Sequence, residues 1–198
     1  VLPLNPLYTA SELVGPLRTA GIEIVVTLTP FYKRLKEIQR DTQVTRVIAT
    51  SIKEYLPPVL RALFTLFKER KGGHRIDLEA GDKWFQDCLN TAPAPLPPPP
   101  GPDDPAIMLM SGGTTGIAKE VVGLHRSLVA AGLQISVWLQ PPKGSPDDIA
   151  LVPLPLFHVY ACVGIQGHCF VSQTAMALVP NPRDIADLLN TIKRVRPT

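Results

Sequence analysis

The stretch Met110-Ser111-Gly112-Gly113-Thr114-Thr115-Gly116-Ile117-Ala118-Lys119 gathers glycines, hydroxyls and a terminal lysine into one short loop. Gly112, Gly113 and Gly116 let the backbone turn sharply and bring N–H groups against an anion. Ser111, Thr114 and Thr115 add hydroxyl donors, and Lys119 adds a mobile positive charge. Together they suit a phosphate. The loop is not the G-x-x-x-x-G-K-S/T type, whose lysine spacing is absent. A polar surface turn also uses Gly and Thr, but so many hydroxyls ending on a lysine favour a phosphate site. The second candidate is Pro155-Leu156-Phe157-His158-Val159-Tyr160. His158 follows an apolar run at an expected strand end, where open sheets build crevices. It could instead cap or pack the next helix. His74, His125 and His168 lack comparable context and are expected to be structural.

These residues need a frame, and the pattern supplies one. Thr9 and Glu12 have capping-box spacing, opening a helix that Pro16 should kink or shorten and Gly21 should end. Ile22 to Leu28 is a β-branched run of the kind buried on both faces of a parallel sheet. A helix is expected over Tyr32 to Arg40, and a strand over Arg46 to Thr50. From Tyr55 to Lys71 an amphipathic helix places Leu60, Leu63, Phe64 and Phe67 on one stripe. That stripe would touch a membrane or guide an acyl chain, or it would face the core with its basic end completing the helix dipole. The core-facing reading is the one expected.

Further on, the pattern gives a strand over Ala106 to Met110, the Gly/Thr loop, and a helix of about fourteen residues around His125 to Leu139. A strand before the loop and a helix after it is the setting in which helix N-termini hold phosphates. Strands are expected again at Ile149 to Leu154 and Thr174 to Val179, with a helix over Val159 to Val171 between them. The last helix has Asn181 as its cap, Pro182 in its first turn, and a buried stripe of Ile185, Leu188, Leu189 and Ile192. Strands alternating with helices predict an α/β fold, a mostly parallel sheet flanked by helices. Of 22 prolines, eight fall between Thr91 and Pro105. Proline lacks an N–H and fixes φ, so this segment should be an extended connector. The expected division is residues 1–90, a proline-rich connector at 91–105, and 106–198 with the loop and the histidine motif.

Composition narrows the classes. Apolar residues are 45% and charged residues 19% of the 198, enough for a buried core. A net charge of +3 without a basic stripe argues against a nucleic-acid partner. The odd number of cysteines, Cys88, Cys162 and Cys169, shows no C-x-x-C pair. Reduced thiols in a cytoplasmic protein are expected. No apolar run approaches the roughly 20 residues of a membrane span, so any membrane contact would be peripheral. An exposed sheet edge would leave self-association, a homodimer included, open. Both termini read as cuts within a longer pattern.

At SGGTTGIAKE the sequence becomes recognisable. It resembles the phosphate-loop signature of the adenylate-forming superfamily, a Ser/Thr- and Gly-rich loop closed by Thr-Gly-x-Pro/Ala-Lys. His125 and Arg126 keep that family's His-Arg spacing. PLFHVY at Pro155 to Tyr160 is most similar to long-chain fatty-acid–CoA ligases. Asn5-Pro6-Leu7-Tyr8-Thr9, Val179 to Asp184 and Lys193 to Thr198 resemble them more weakly.

The resemblance implies ATP, coenzyme A and a fatty acid as substrates, and Mg²⁺ bridging phosphate oxygens. The carboxylate would attack the α-phosphate to give acyl-AMP and pyrophosphate, and coenzyme A would then take the acyl group. Ser111, Gly112, Gly113, Thr114, Thr115, Gly116 and Lys119 would hold ATP, with Thr114 and Lys119 acting catalytically on the leaving phosphates. Phe157, His158 and Tyr160 would lie at the fatty-acid site, His158 adjoining the carboxylate. No carboxylate of the chain can be assigned to magnesium. Glu120 departs from the family's glycine and sets a negative charge beside the loop. The family's adenine-binding, magnesium-binding and ribose-binding residues and its late lysine would follow Thr198, so these 198 residues alone are expected not to form acyl-CoA. Ligases for aryl or medium-chain acids, ligases stopping at acyl-AMP, and a non-catalytic acyl-chain or membrane-surface module remain alternatives.

Overall fold

The computed structural model describes residues 1–111, 119–139 and 148–198. The chain divides into two compact units, Leu4–Pro97 and Val1–Pro3 with Pro98–Thr198. Between them in sequence, residues 92–100 form neither helix nor strand and are exposed, as a proline run without backbone donors must be.

In the first unit, α1 (Ala10–Thr19) opens on a true capping box: Thr9 Oγ1 accepts from the Glu12 N–H, and Glu12 Oε2 accepts from the Thr9 N–H at 2.7 Å. Pro16 sits inside this helix, which ends one turn later, and Gly21 takes a left-handed φ of +59°. Strand β1 (Ile24–Leu28), α2 (Thr29–Ile38) and β2 (Arg46–Thr50) follow. Proline enters α2 in its first turn, where its missing donor costs nothing, so the helix starts earlier than Tyr32. Strands β1, β2 and the short β3 (Lys83–Trp84) pair in parallel in that order. A short helix, α4 (Phe85–Leu89), leaves β3.

Leu13 and Leu17 of α1 and Tyr32, Leu35 and Ile38 of α2 close over Val47 and Ala49, which are fully buried. Because Val25 and Thr27 lie in register with Val47 and Ala49, both helices cover the same face of the sheet. The other face keeps Ile24, Val26 and Leu28 at 52%, 57% and 37% exposure. The expectation that this strand is buried on both faces is therefore corrected: the helices of its unit shield one side only.

Beneath that core lies a satisfied polar cluster. Asp82, with its side chain 1% exposed, accepts from Tyr32 Oη at 2.5 Å, Lys36 Nζ at 2.9 Å and the Val47 N–H at 2.8 Å. Burial alone would raise the Asp82 carboxyl; these donors outweigh it and hold it below its ordinary range.

The amphipathic segment is also corrected. Pro57 and Pro58 confine its helix, α3, to Pro58–Phe67, after a separate 3₁₀ turn at Ile52–Tyr55. None of its residues is buried, so the stripe does not face a core.

In the second unit β4 (Pro105–Met110) and β5 (Glu120–Leu124) form an antiparallel pair, and β6 (Ile149–Val152) and β7 (Ala175–Leu178) a parallel one. Helix α5 (His125–Leu139) follows β5 directly. After β6 comes a π-helical turn at Tyr160–Ile165 that runs into α6 (Gln166–Ser172), and α7 (Ile185–Val195) ends the chain. The start of α7 differs from expectation: its cap is Asp184, whose side chain accepts from the Asp187 N–H, while Asn181 Oδ1 accepts from Arg183 in a preceding turn. Its stripe is only half covered, with Ile185 59% and Leu189 50% exposed. The chain is thus mixed helix and strand, with parallel sheets and one antiparallel pair.

Candidate functional site

The Gly/Thr loop joins the two strands of a hairpin. Glu120 pairs with Met110 in the β4–β5 register, and α5 begins only at His125. The expected passage from strand straight into helix is corrected, because Glu120 to Leu124 is itself a strand, rich in β-branched valine. Among the described residues, the helix that follows the loop in sequence is separated from it by the five residues of β5.

The base of the loop is clasped by its two end residues. Ser111 N–H donates to Lys119 O at 2.8 Å, Ser111 Oγ donates to the same oxygen at 3.0 Å, and the Lys119 N–H donates to Ser111 Oγ at 3.1 Å. This arrangement ties the loop's ends together while the Lys119 residue stays exposed. Gly112, Gly113, Thr114, Thr115 and Gly116 lie outside the described residues. Glu120, one position beyond, is half-buried, and its Oε1 is shut away from water with no hydrogen-bond partner among the described residues.

The histidine motif sits in the turn between β6 and the π-helical segment. His158 N–H donates to Pro155 O, and Cys162 N–H donates to His158 O at 2.9 Å. His158 Nδ1 accepts from the Tyr160 N–H at 3.3 Å, so the neutral ring carries its proton on Nε2. This local bond to the backbone fixes the tautomer of the neutral ring. An exposed Nε2–H is left as a donor suited to a carboxylate or phosphate oxygen. Phe157 is half-buried beside it.

Tyr160 is 60% exposed and lines a cleft of about 470 Å³. The walls are mainly apolar, formed by Ile135, Trp138, Leu139 and Ile149, with His168 also in the lining. Such a volume and lining suit an acyl chain or an aromatic ring. The two helices that carry Ile135 and His168 cross closely at a glycine. A Cβ on Gly132 of α5 would stand 2.5 Å from the Gly167 carbonyl oxygen of α6, so only glycine permits this crossing. One turn along, Ser136 Oγ lies 2.7 Å from His168 Nδ1 and donates its own hydrogen to Gly132 O at 2.9 Å. His168 therefore donates from Nδ1 to the serine oxygen.

Sequence reasoning gave His168 a structural role, which the Ser136 bond supports, but missed that it also lines the cleft. Trp138 was missed as well, since a lone aromatic near a helix end has no distinctive pattern. Among the described residues no hydrogen bond joins Ser111 or Lys119 to His158 or Tyr160, and no group of three or more His, Cys, Asp or Glu side chains converges as a metal site would require. A magnesium site is thus not built from the described residues.

Comparison with known proteins gives the family context. A family model described as AMP-binding enzyme matches residues 1–198. The long-chain-fatty-acid–CoA ligase of Bacillus subtilis is 28% identical over 201 residues, covering 100% of this chain and 36% of that protein. The 4-coumarate–CoA ligase 3 of Arabidopsis thaliana is 28% identical over 200 residues, covering 98% of this chain and 30% of that protein. The crystal structure of ATP-bound MatB from Rhodopseudomonas palustris superposes with a TM-score of 0.67 at 22% identity, over 98% of this chain and 35% of that one. The chain spans about a third of the length of the curated relatives it matches.

Proposed function

Taking as premise that the chain belongs to the AMP-binding enzyme family, we propose that it supplies the phosphate-loop portion of an ATP-dependent acid–thiol ligase acting on long-chain fatty acids. The carboxylate attacks the α-phosphate of ATP, the bond to the β-phosphate breaks, and pyrophosphate leaves. The thiolate of coenzyme A then takes the acyl group and AMP departs. The single observation that carries this reading is the Ser111–Lys119 clasp at the base of a Gly/Thr loop. It fixes the two ends of the loop against each other, which supports a loop that closes around a polyphosphate.

Within that scheme Ser111, Gly112, Gly113, Thr114, Thr115, Gly116 and Lys119 cradle the β- and γ-phosphates, and Thr114 and Lys119 offset charge on the leaving pyrophosphate. His158 Nε2–H donates to the fatty-acid carboxylate, while Phe157 and Tyr160 border its acyl chain. Magnesium, held mainly by phosphate oxygens and water, would add charge neutralisation. The name of the Bacillus relative supports a long-chain acid, and the ATP-bound MatB structure supports the nucleotide. Three free cysteines suit a reducing, cytoplasmic setting. No helix among the described residues is long and apolar enough to cross a membrane.

Two observations favour narrower variants. The 4-coumarate ligase among the relatives and the aromatic-sized cleft at Tyr160 admit an aryl acid. The Glu120 oxygen beside the loop, buried and without a hydrogen-bond partner among the described residues, favours weakened nucleotide binding, as in a binding module. Pyrophosphate release by the full protein, with Mg-ATP and a panel of carboxylic acids, separates these cases. Long-chain acids should stimulate release, and Lys119→Ala should reduce it by about 10²-fold or more, the scale for removing a charge-stabilising donor. Stimulation by aryl acids alone would move the substrate assignment, and no release with any acid would reject the ligase reading.

A further inference from the structure

Helix α3 finds no core in its own unit. At about 100° per residue, Val59, Leu60, Leu63, Phe64, Leu66 and Phe67 sweep an arc of roughly 160° on one side. Val59 is 72% exposed, Leu66 75% and Phe67 66%. A contiguous apolar surface of this extent ordinarily marks an interaction site. The helix is nonetheless held in place. Phe64 turns inward and meets the His74 ring edge-on with centroids 5.0 Å apart, and His74 Nδ1 is hydrogen-bonded to the buried Thr29 Oγ1 at 3.1 Å. The remaining apolar side chains are therefore presented outward by a fixed platform.

The charges around this face have one sign. Glu69 is the only carboxylate between residues 55 and 71, and it is buried in an ion pair with Lys53. Glu54, just before, accepts from the Thr50 hydroxyl at 2.8 Å. Arg61, Lys68, Arg70 and Lys71 are all exposed. Arg61 and Lys68 fall at the margin of the apolar arc, beside Phe64. Lys68 and Lys71 edge an apolar groove of about 810 Å³ formed with Leu56, Leu60 and Phe67.

A second copy of this face would bring the same cations against each other. An anionic bilayer offers both complements at once: acyl chains for the apolar arc and phosphates for the cations. We infer that α3 is an in-plane membrane-docking helix. Its apolar face enters the headgroup–acyl boundary of an anionic bilayer, and Arg61, Lys68, Arg70 and Lys71 lie among the lipid phosphates. The inference stands apart from the ligase reading, since none of these residues belongs to the loop or the Tyr160 cleft.

The test is co-sedimentation of the full protein with vesicles of phosphatidylcholine alone or with about 30% phosphatidylglycerol, a typical anionic surface. The protein should pellet with the anionic vesicles and only weakly with the neutral ones. Leu66→Ser with Phe67→Ser should lower partitioning more than about tenfold, from lost apolar burial. Lys68→Gln with Lys71→Gln should lower it on the order of tenfold, and salt near 0.5 M should erase that difference. All four side chains are exposed, so the variants should melt like the parent. Equal pelleting of parent and Ser variant would overturn the inference. So would absence of vesicle binding, most directly if the Ser variant instead converts a dimer to a monomer on size exclusion, which would assign the face to a second copy.

Discussion

Replacing Ser111 by alanine should open the phosphate loop without unfolding the protein. The hydroxyl serves as donor to Lys119 O at 3.0 Å and as acceptor from the Lys119 N–H at 3.1 Å. Each bond contributes about 0.5–1.5 kcal/mol net, and both are solvent-exposed, so the low end applies. Their joint loss is about 1–1.5 kcal/mol, roughly a tenfold shift of the loop away from its clasped form. The backbone bond from Ser111 N–H to Lys119 O, at 2.8 Å, survives and keeps the hairpin paired. If only the clasped loop receives ATP, the apparent KM for ATP rises by up to about the same factor, since apparent affinity scales with the competent population. Two assays check this. Pyrophosphate release against ATP concentration should give a raised KM, by up to about tenfold, with Ser111→Thr near the parent because it keeps the hydroxyl. Amide exchange should show Lys119 losing about tenfold in protection while the β4–β5 amides hold. An unchanged KM in a folded Ser111→Ala protein, or protection lost across the hairpin, would refute the reasoning.

Other outcomes follow from single sites. Asp82→Ala should destabilise the first unit by about 3–5 kcal/mol on denaturant titration, because Lys36 and the Tyr32 hydroxyl lose a buried partner. As the folded Asp82 pKa is lowered, its contribution is present above the ordinary carboxylate range near 3.9 and lost as pH falls through the folded value, so the parent's acid transition should flatten in the variant. Gly132→Ala should cost about 1–3 kcal/mol and widen the α5–α6 crossing, since the new methyl meets the Gly167 carbonyl at 2.5 Å; an unchanged melting temperature would contradict the crossing geometry. Glu120→Gln should lower the KM for ATP, as a negative charge leaves the loop's edge while the side chain keeps its size. A higher KM in that variant would show Glu120 assisting the loop instead.

What could be read from the sequence was local chemistry with a short range. Thr9 and Glu12 announce their helix because the cap is complete within four residues, and the bonds are there. Strands at Arg46–Thr50 and Pro105–Met110 follow from runs whose neighbours are all polar or breaking. What escaped depends on what lies across the fold. Nothing in Ile22 to Leu28 tells whether a second layer covers Ile24 and Val26. The same holds for α3: its stripe reads alike whether it meets a core or a lipid surface, and only burial separates the two. Glu120 to Leu124 was absorbed into the approach to a helix because a five-residue strand ending in Gly-Leu has little periodicity of its own. Antiparallel pairing with β4 creates it.

That missed strand changes how the candidate site has to work. A loop that leads into a helix can borrow the helix's unpaired N–H groups and its dipole. A loop whose ends join two strands has that help at a greater distance along the chain. In the proposed function its electrostatics would rest on its own backbone, on Thr114 and Thr115, and on Lys119, and its geometry on whatever ties its two ends together. In this chain the tie is Ser111 with Lys119, so the residue that carries the charge also closes the loop through its main chain. Lys119→Ala removes the ammonium but leaves that main-chain clasp, whereas Ser111→Ala does the reverse. The first should depress turnover and the second should raise the KM for ATP, and a hairpin-borne phosphate loop requires the two effects to separate in that order.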